Sequence, residues 1–565
     1  MNKKLIKILK EISLLLKLKG DNPFKSRAYE NAAEMIREGS IDIEKAVHEG
    51  KLGELKGFGK ALEEKITDFV KNGEMQYHKK LITEVPLGLI EISRISNIGP
   101  KKARRLYYDH NIRDLDELEN AAKTNVLANI KGFGIKSQEI ILNSIHHRKA
   151  SRGRFLMQIA VETSDKIILR LESTGAVSRI SLIGANRRFS ETIDGLQFLA
   201  ATDDMQKITS ELAGIMSFDI KEDIIYGKTS DDLPVIIRTT NDGDYPLILH
   251  ELTGSGKYLA GFNDILYQNG FRISGGHLFE NDKRIDLQSE HQLYDLIGYQ
   301  YVEPELREYP EVLAQAKDNK IPQLIEQSDM KGMIHIHSNW SDGINSIKEM
   351  ALESKRLGYS YVVICDHSQS AAYAGGLTPD DVVRQHEEID ALNEEDLGIR
   401  ILKGIESDIL PDGSLDYPEE MLKTFDLVVA SVHSHFNMSE KDMTKRIIYA
   451  LMSQYAMMLG HPTGRLLLAR HAYKVDINEI INVAAGEGKI IEINANPYRL
   501  DLNWENAKKA KEKGVKMSIN PDSHETGTLT EVYFGIKIAR KAALTKQDVV
   551  NCMPYKEFCD TYINR

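Results

Sequence analysis

Through the first 150 positions apolar residues recur at helical spacing, broken at Gly20, Gly50 and Gly73, and this pattern predicts an all-helical region. From about Arg154 the pattern changes to alternating helix-like and strand-like stretches. From Tyr309 to Lys331 it reads as a helical connector with Pro310 and Pro322, a natural domain boundary. Beyond it seven apolar runs recur: MIHIH, YVVICDH, IRILKGIES, LVVASVHS, MMLGHP, KIIEINAN and VKMSINPDSH. Each is followed by a loop and mostly by helix-like sequence, the pattern of a parallel α/β barrel whose strands are covered on both faces.

Such barrels carry their chemistry at the carboxyl ends of the strands, and the polar residues of this region fall there. His335 and His337 close the first run, two apart and so on one face of a strand, with Asp342 in the adjoining loop. His367 follows the second run, Glu406 the third, His433 the fourth, His461 the fifth, and Asp522 and His524 the seventh. Any one of these histidines is ordinarily a hydrogen-bonded loop residue. Six histidines and three acids at one end of successive strands point instead to metal. Imidazole with carboxylate suits zinc, manganese or iron better than magnesium alone. Arg465 in GHPTGR and Arg499 in NPYRLD are candidates to hold a phosphate bidentately, or else surface or salt-bridged arginines. His435 is placed either to donate a proton to a leaving group or to orient a ligand.

In the helical region one pattern recurs three times: LKGFGKALEEKI from Leu55, ISNIGPKKARRL from Ile95 and IKGFGIKSQEII from Ile130. Gly57 and Gly59, Gly99, and Gly132 and Gly134 allow tight turns into helices whose free amides can hold a phosphate oxygen without reading a base. Lys60, Lys101, Lys102, Arg104 and Lys136 add positive charge. One copy is as readily a plain helix-helix turn; three in a basic region point to nucleic acid.

Composition narrows the class. Of 565 residues, 42% are hydrophobic and 28% charged, as in a globular protein of several domains. The net charge of −11 divides into +7 for residues 1–150 and −18 for the rest, which suits a polyanion on one part and cations on the other. Cys365, Cys552 and Cys559 are too few for a disulfide framework, so a cytoplasmic location is expected. The amino terminus is interrupted by Lys7, Lys10, Glu11 and Lys17 and reads as an amphipathic helix. No run is long or apolar enough to span a membrane.

Resemblance to known families adds to this reading. The three hairpins resemble helix-hairpin-helix motifs of DNA-binding proteins. NPFKSRAYENAAEMI, with the first hairpin, resembles the amino-terminal domain of family X DNA polymerases. Lys65 falls where the repair members of that family place a Schiff-base amine, although a surface lysine beside Glu63 and Glu64 is the competing reading. AVSRISLIGANRRFSETIDGLQFLAA resembles the polymerase palm in Gly184, Arg187, Arg188, Glu191 and Thr192, with Ala185 where the family has serine. At the positions of the family's three metal-binding aspartates stand Gly195, Gln197 and Ile236. LTGSGK and LYDLIGYQYVEPELRE resemble the thumb. The carboxyl-terminal part resembles the PHP phosphoesterase domain, in which the nine positions named above bind a trinuclear metal site; Met333 departs from an aspartate often found there.

The resemblance implies a multidomain α and α/β chain: a helical lyase-like domain (1–80), a fingers-like helix-hairpin-helix domain (81–150), a nucleotidyltransferase-like palm (151–245), a thumb (246–308), a linker (309–331) and a distorted (β/α)7 PHP barrel (332–565). It implies three divalent ions (manganese, zinc or iron) and gapped, nicked or 3'-ended DNA as partner. The expected activity is 3'-to-5' exonucleolytic or 3'-end-processing hydrolysis in repair, with the polymerase site inactive. The alternatives are a gap-filling polymerase with a proofreading PHP domain, a small-molecule phosphatase and a non-catalytic DNA scaffold.

Overall fold

Three times in the first 152 residues the backbone makes the same turn. A residue with positive φ (Gly57 at 97°, Asn97 at 66°, Gly132 at 90°) precedes a buried apolar residue (Phe58, Ile98, Phe133). The amide of that apolar residue donates to the carbonyl three positions back, Leu55, Ile95 or Ile130, at 3.1, 3.0 and 2.9 Å. Helices Lys60–Asn72, Pro100–Asp109 and Ile135–Ala150 follow, and the first two start at Gly59 and Gly99 with no side-chain cap. Their first amides are therefore free for an outside acceptor. The middle copy uses asparagine, the residue next best suited to the left-handed region, where the others use glycine.

The computed structural model describes residues 2–37, 43–55, 57–95 and 97–564; the side chains of residues 2, 3, 136, 147 and 150 are outside that description, so Lys136 is placed by its backbone alone. The chain divides into two units, 1–152 and 153–565. The first is all helical around a core that includes Leu9, Ile12, Phe58, Ile66 and Phe133.

In the second unit, strands Arg179–Leu182, Leu196–Ala201, Pro234–Thr240, Ile224–Thr229 and Met216–Lys221 form a five-stranded sheet in that spatial order. Only the second and third of these are parallel. Helices Tyr245–Thr253 and Gly256–Gln268 lead to a three-stranded antiparallel sheet of residues 271–285 and helix Glu290–Leu296. The stretch read as a linker holds helix Val312–Lys317 and then an extended segment. That segment is packed down: Ile321, Leu324 and Ile325 are buried, and the Ile325 amide donates to Leu544 O at 3.0 Å.

The barrel strands are β1 (Gly332–Ile336), β2 (Tyr361–Ile364), β3 (Arg400–Asp408), β4 (Leu427–Ser431), β5 (Ala456–Leu459), β6 (Ile490–Asn494) and β7 (Met517–Asn520). All pair in parallel in chain order, and a bridge between Ile336 and Ser523 brings β7 round to β1, a nearly closed seven-stranded barrel. One continuous apolar core joins the five-stranded sheet (Leu196, Phe198, Val235) to the barrel (Met333, Val362, Ile519).

Charged groups also cross this junction. Glu305 accepts from Lys537 at 3.0 Å and Arg540 at 2.8 Å. Burial opposes its ionisation, but the two cations outweigh burial and hold its pKa at about 2, against a usual 4.5. A carboxyl lowered on folding stabilises the fold above its unfolded pKa, and this contribution disappears as pH falls through the folded value. Glu305 therefore contributes ~3 kcal/mol at neutral pH, lost between about pH 4.5 and 2. Glu305→Gln is expected to lower the unfolding midpoint at neutral pH, and calorimetry on both proteins is expected to show the gap narrowing as the buffer is taken down through this window.

Candidate metal centre

The polar ends of the barrel strands converge. Glu406, in β3, is wholly buried. Its Oε1 lies 2.9 Å from His461 Nε2, 3.2 Å from His433 Nε2 and 3.4 Å from His335 Nε2. Its Oε2 lies 2.9 Å from His367 Nδ1 and 3.7 Å from His337 Nε2. Asp522 Oδ1, after β7, is 3.0 Å from His337 Nε2 and 3.7 Å from His335 Nε2. Asp342 Oδ1 is 3.1 Å from His524 Nε2 and 3.6 Å from His367 Nε2. Among the described residues three groups are compact enough to hold an ion: His337 with Asp342, His367 and His524; His335 with His337 and Asp522; and His367 with Glu406 and His433. His461 joins through Glu406, so all nine residues singled out in the sequence meet at one place.

The backbone bends to achieve this. β1 slips register between Met333 and Ile336, and His335 sits there at φ 57°; His461 and Asp522 also have positive φ, at 22° and 52°. Such conformations cost about 1–3 kcal/mol each and persist because the surrounding core fixes them. The loop carrying Asp342 is tied to buried Asp366, which accepts from Ser338 N at 2.8 Å, Ser341 Oγ at 2.5 Å and Gln385 Nε2 at 2.6 Å.

The electrostatics fit cations. Burial alone would raise the pKa of Glu406, but the imidazoles of His433, His335 and His367 hold it well below the usual carboxyl range; Asp522 is lowered in the same way by His335 and His337. Burial also works against a charge on His433, but Glu406 and Asp408 raise it to about 10, while burial and then His524 and His367 bring His337 down to about 3. Inside this cluster His337 Nδ1 and His461 Nδ1 are buried without a hydrogen-bond partner, and His335 Nε2 and His367 Nδ1 have the Glu406 carboxylate as ion-pair partner. Each unsatisfied buried group costs about 1–3 kcal/mol, and nitrogen and carboxylate donors in this arrangement suit divalent metal.

Two carboxylates behind the imidazoles escaped the sequence reading. Glu492, in β6, accepts from His335 Nδ1 at 2.6 Å, the His461 amide at 2.6 Å and Asn520 Nδ2 at 2.8 Å. Asp408 pairs with His433 Nδ1. Holding one imidazole nitrogen directs the other inward. The signal available for Glu492 was a charged residue inside an apolar parallel strand, which must have a buried partner. Tyr373 was also passed over: its exposed ring stands 6.2 Å from that of His367 and 6.4 Å from that of His433.

The other candidates divide. Arg499 stands at the rim, its Nε 3.6 Å from Asp522 Oδ2. Arg465, expected to be available for phosphate, is instead engaged internally. Its Nη1 and Nη2 meet the Glu191 carboxylate at 3.0 and 2.8 Å, its Nε donates to Arg499 O at 2.9 Å, and Nη2 also reaches Leu500 O. With its donors directed into protein, the salt-bridge alternative is the one observed. His435 is exposed, with its ring against Ser434 Oγ at 3.1 Å and outside the three ion-holding groups.

Lys65 lies 4.8 Å over the Tyr77 ring and donates to Ala61 O at 2.6 Å. Burial lowers its pKa, with Lys25 adding to the effect and Glu64 opposing it. Glu64 does pull the pKa up, but desolvation outweighs it. Of the hairpin cations, Lys60 and Lys101 are exposed, whereas Lys102 turns back to Asn97 O at 3.1 Å.

In the five-stranded sheet Gln197 pairs directly with Ile236, and Gly195 precedes Gln197 by two, so the three positions come together. Asn186 clamps this strand start, donating to Gly195 O and accepting from the Gln197 amide, both at 3.0 Å. Arg187 is bound to Glu290 at 2.5 Å and Arg188 to Glu308 at 3.2 Å. None of the three ion-holding groups includes a residue of this sheet.

Comparison with known proteins places these features. Residues 1–75 match a helix-hairpin-helix domain, 89–145 a SAM-like helix-hairpin-helix tandem, 248–308 the DNA polymerase beta thumb and 334–496 the PHP domain. The chain is 35% identical over 567 residues, covering 98% of each protein, to the Bacillus subtilis "DNA polymerase/3'-5' exonuclease PolX". It is 31% identical over 217 residues to a "probable phosphatase" of Thermoanaerobacter pseudethanolicus, covering 37% of this chain and 84% of that one. A "probable phosphatase" of Caldanaerobacter subterraneus is 30% identical over 34% of this chain and 74% of its own length.

Proposed function

We propose that this chain, which belongs to the PolX family of family X DNA polymerases with a carboxyl-terminal PHP domain, hydrolyses DNA phosphodiesters from the 3' end at its barrel site during repair. The observation that carries this reading is the gathering of Glu406, Asp522, Asp342 and six imidazoles at one buried end of the barrel, with the Arg499 guanidinium at its rim. Divalent ions bound there, manganese, zinc or iron in a set of three, supply Lewis-acid polarisation of the phosphate and lower the pKa of water.

The chain's own residues do the rest. His335, His337, Asp342, His367, Glu406, His433, His461, Asp522 and His524 hold the ions, with Glu492 and Asp408 fixing two of the imidazoles. Arg499 binds a phosphate oxygen of the scissile group. His435, exposed two residues beyond His433, is the candidate proton donor to the departing 3' oxygen. DNA is held through the three hairpins, whose helix-start amides and neighbouring lysines contact the backbone without reading bases. Lys65, whose amine is made less basic by burial beside Tyr77, is the candidate nucleophile for Schiff-base chemistry with an abasic sugar. The localisation that suits this work is the cytoplasm, and no helix among the described residues is long and apolar enough to cross a membrane.

Polymerisation is the second reading, favoured by the name of the Bacillus subtilis relative. Against it stand Gly195, Gln197 and Ile236, which offer no carboxylate for paired magnesium ions. Phosphatase activity is the third, favoured by the barrel-only relatives; the hairpin unit argues for a polymeric substrate.

A single comparison separates the nuclease reading from the phosphatase one. Purified protein given manganese is expected to release mononucleotides from a 3'-ended oligonucleotide, a chelator to abolish release and re-added manganese to restore it, while turnover of histidinol phosphate is expected to stay at least about a hundredfold lower in kcat/KM. Faster turnover of the small monoester would replace the nuclease reading with the phosphatase one.

A further inference from the structure

The five-stranded sheet offers no carboxylate at Gly195, Gln197 or Ile236 yet shares a core with the barrel, and an ion pair runs from the loop that leads into it to the edge of the metal centre. Glu191 lies between the turn at residues 184–187 and strand Thr192–Ile193. Both carboxylate oxygens of Glu191 are engaged by Arg465, four residues beyond His461, in a largely buried pair. From Arg465 the contacts continue to the carbonyls of Arg499 and Leu500. Asp501 ties the same two loops, accepting from the Thr463 amide and hydroxyl at 2.9 Å each. At the end of the chain the Arg499 side chain faces Asp522.

We propose that Glu191 is a positioning residue for the nuclease: through Arg465 it holds the 499–500 backbone and so aims Arg499 at the substrate phosphate. The former palm is then a strut of the hydrolytic site, which gives it a use that does not need polymerase chemistry. Without the carboxylate that holds both terminal nitrogens, the Arg465 guanidinium is no longer fixed in this orientation, and its hydrogen bonds to the carbonyls of Arg499 and Leu500 lose their support. The inference rests on the phosphodiesterase reading of the barrel and on Arg499 as phosphate ligand.

The test is a double-mutant cycle on the full-length, metal-loaded protein with a 3'-ended oligonucleotide. Glu191→Gln keeps the shape of the side chain and is expected to lower kcat/KM about tenfold, mostly through KM. Metal content by mass spectrometry is expected to stay near wild type, and the unfolding midpoint is expected to fall, because a buried guanidinium loses its counter-charge, while remaining above the assay temperature. Glu191→Asp, which keeps the charge, is expected to recover activity to within about threefold. In an Arg499→Ala background the same Glu191→Gln change is expected to add less than about twofold, because its effect passes through Arg499.

An equal loss in both backgrounds, or a loss of metal that accounts for the fall, overturns the proposal. A lowered KM in Glu191→Gln also overturns it, since that would mean Glu191 normally withholds Arg465 from phosphate. If wild-type protein with its metals bound releases no nucleotide, the phosphodiesterase reading fails first and the inference falls with it, a result visible before any variant is made.

Discussion

Alanine at both His335 and His337 is expected to cut nucleotide release from a 3' end by at least about a thousandfold, the largest effect of any change considered for this chain. His337 belongs to two of the three ion-holding groups and His335 to one. Both rings are wholly buried, and their removal takes two imidazole donors away from the groups that include Asp522, Asp342, His367 and His524. Loss of a residue that merely supports a metal ligand typically costs about 10–100-fold in affinity or activity; loss of two direct donors costs more. Metal content measured on the purified variant should fall with activity. DNA binding by fluorescence anisotropy should persist, because the three hairpins lie in the other unit of the chain. Retention of more than about a tenth of wild-type cleavage would move catalysis away from the barrel.

Gapped DNA supplied with all four deoxynucleoside triphosphates and magnesium or manganese is expected to show no primer extension under conditions where the same preparation degrades a 3' end. Two-metal nucleotidyl transfer needs carboxylates that hold both ions against the triphosphate and the primer oxygen. In the sheet the three positions adjoin as Gly195, Gln197 and Ile236, and Asn186 fixes the backbone at Gly195 and Gln197 in that arrangement. Arg187 and Arg188, the cations nearest to this place in sequence, are neutralised by Glu290 and Glu308. The assay should use the His335→Ala, His337→Ala double variant as well, so that exonuclease activity does not erase a product. Extension by that variant at a rate within about tenfold of a working gap-filling enzyme would mean that other acidic groups take over, and the assignment of the sheet as a scaffold would fail.

How much of this was legible in the sequence depends on how local the cause is. The hairpins were legible because a tight turn needs glycine at fixed offsets; the middle copy, with Asn97 in the left-handed position, is the case where the usual residue is replaced by its nearest substitute. The lowered basicity of Lys65 was not legible, because it arises from burial against Tyr77, twelve residues on and in another helix, while the sequence showed only the adjacent acids.

The sequence by itself determined the seven-strand barrel and its nine inward donors, because parallel strands are apolar throughout and the chemistry can only emerge at their carboxyl ends. That Gly195, Gln197 and Ile236 stand at the positions resembling the family's palm aspartates is likewise read from sequence, through that resemblance. Only the tertiary structure decided that Arg465 faces Glu191 and not the substrate, that Glu492 and Asp408 stand behind the imidazoles, and that residues 321–325 are packed and not a free linker. The reason is common to all three. Each depends on which partner a side chain finds across 25 to 274 residues of chain or on what covers it, and spacing along one strand carries no record of that.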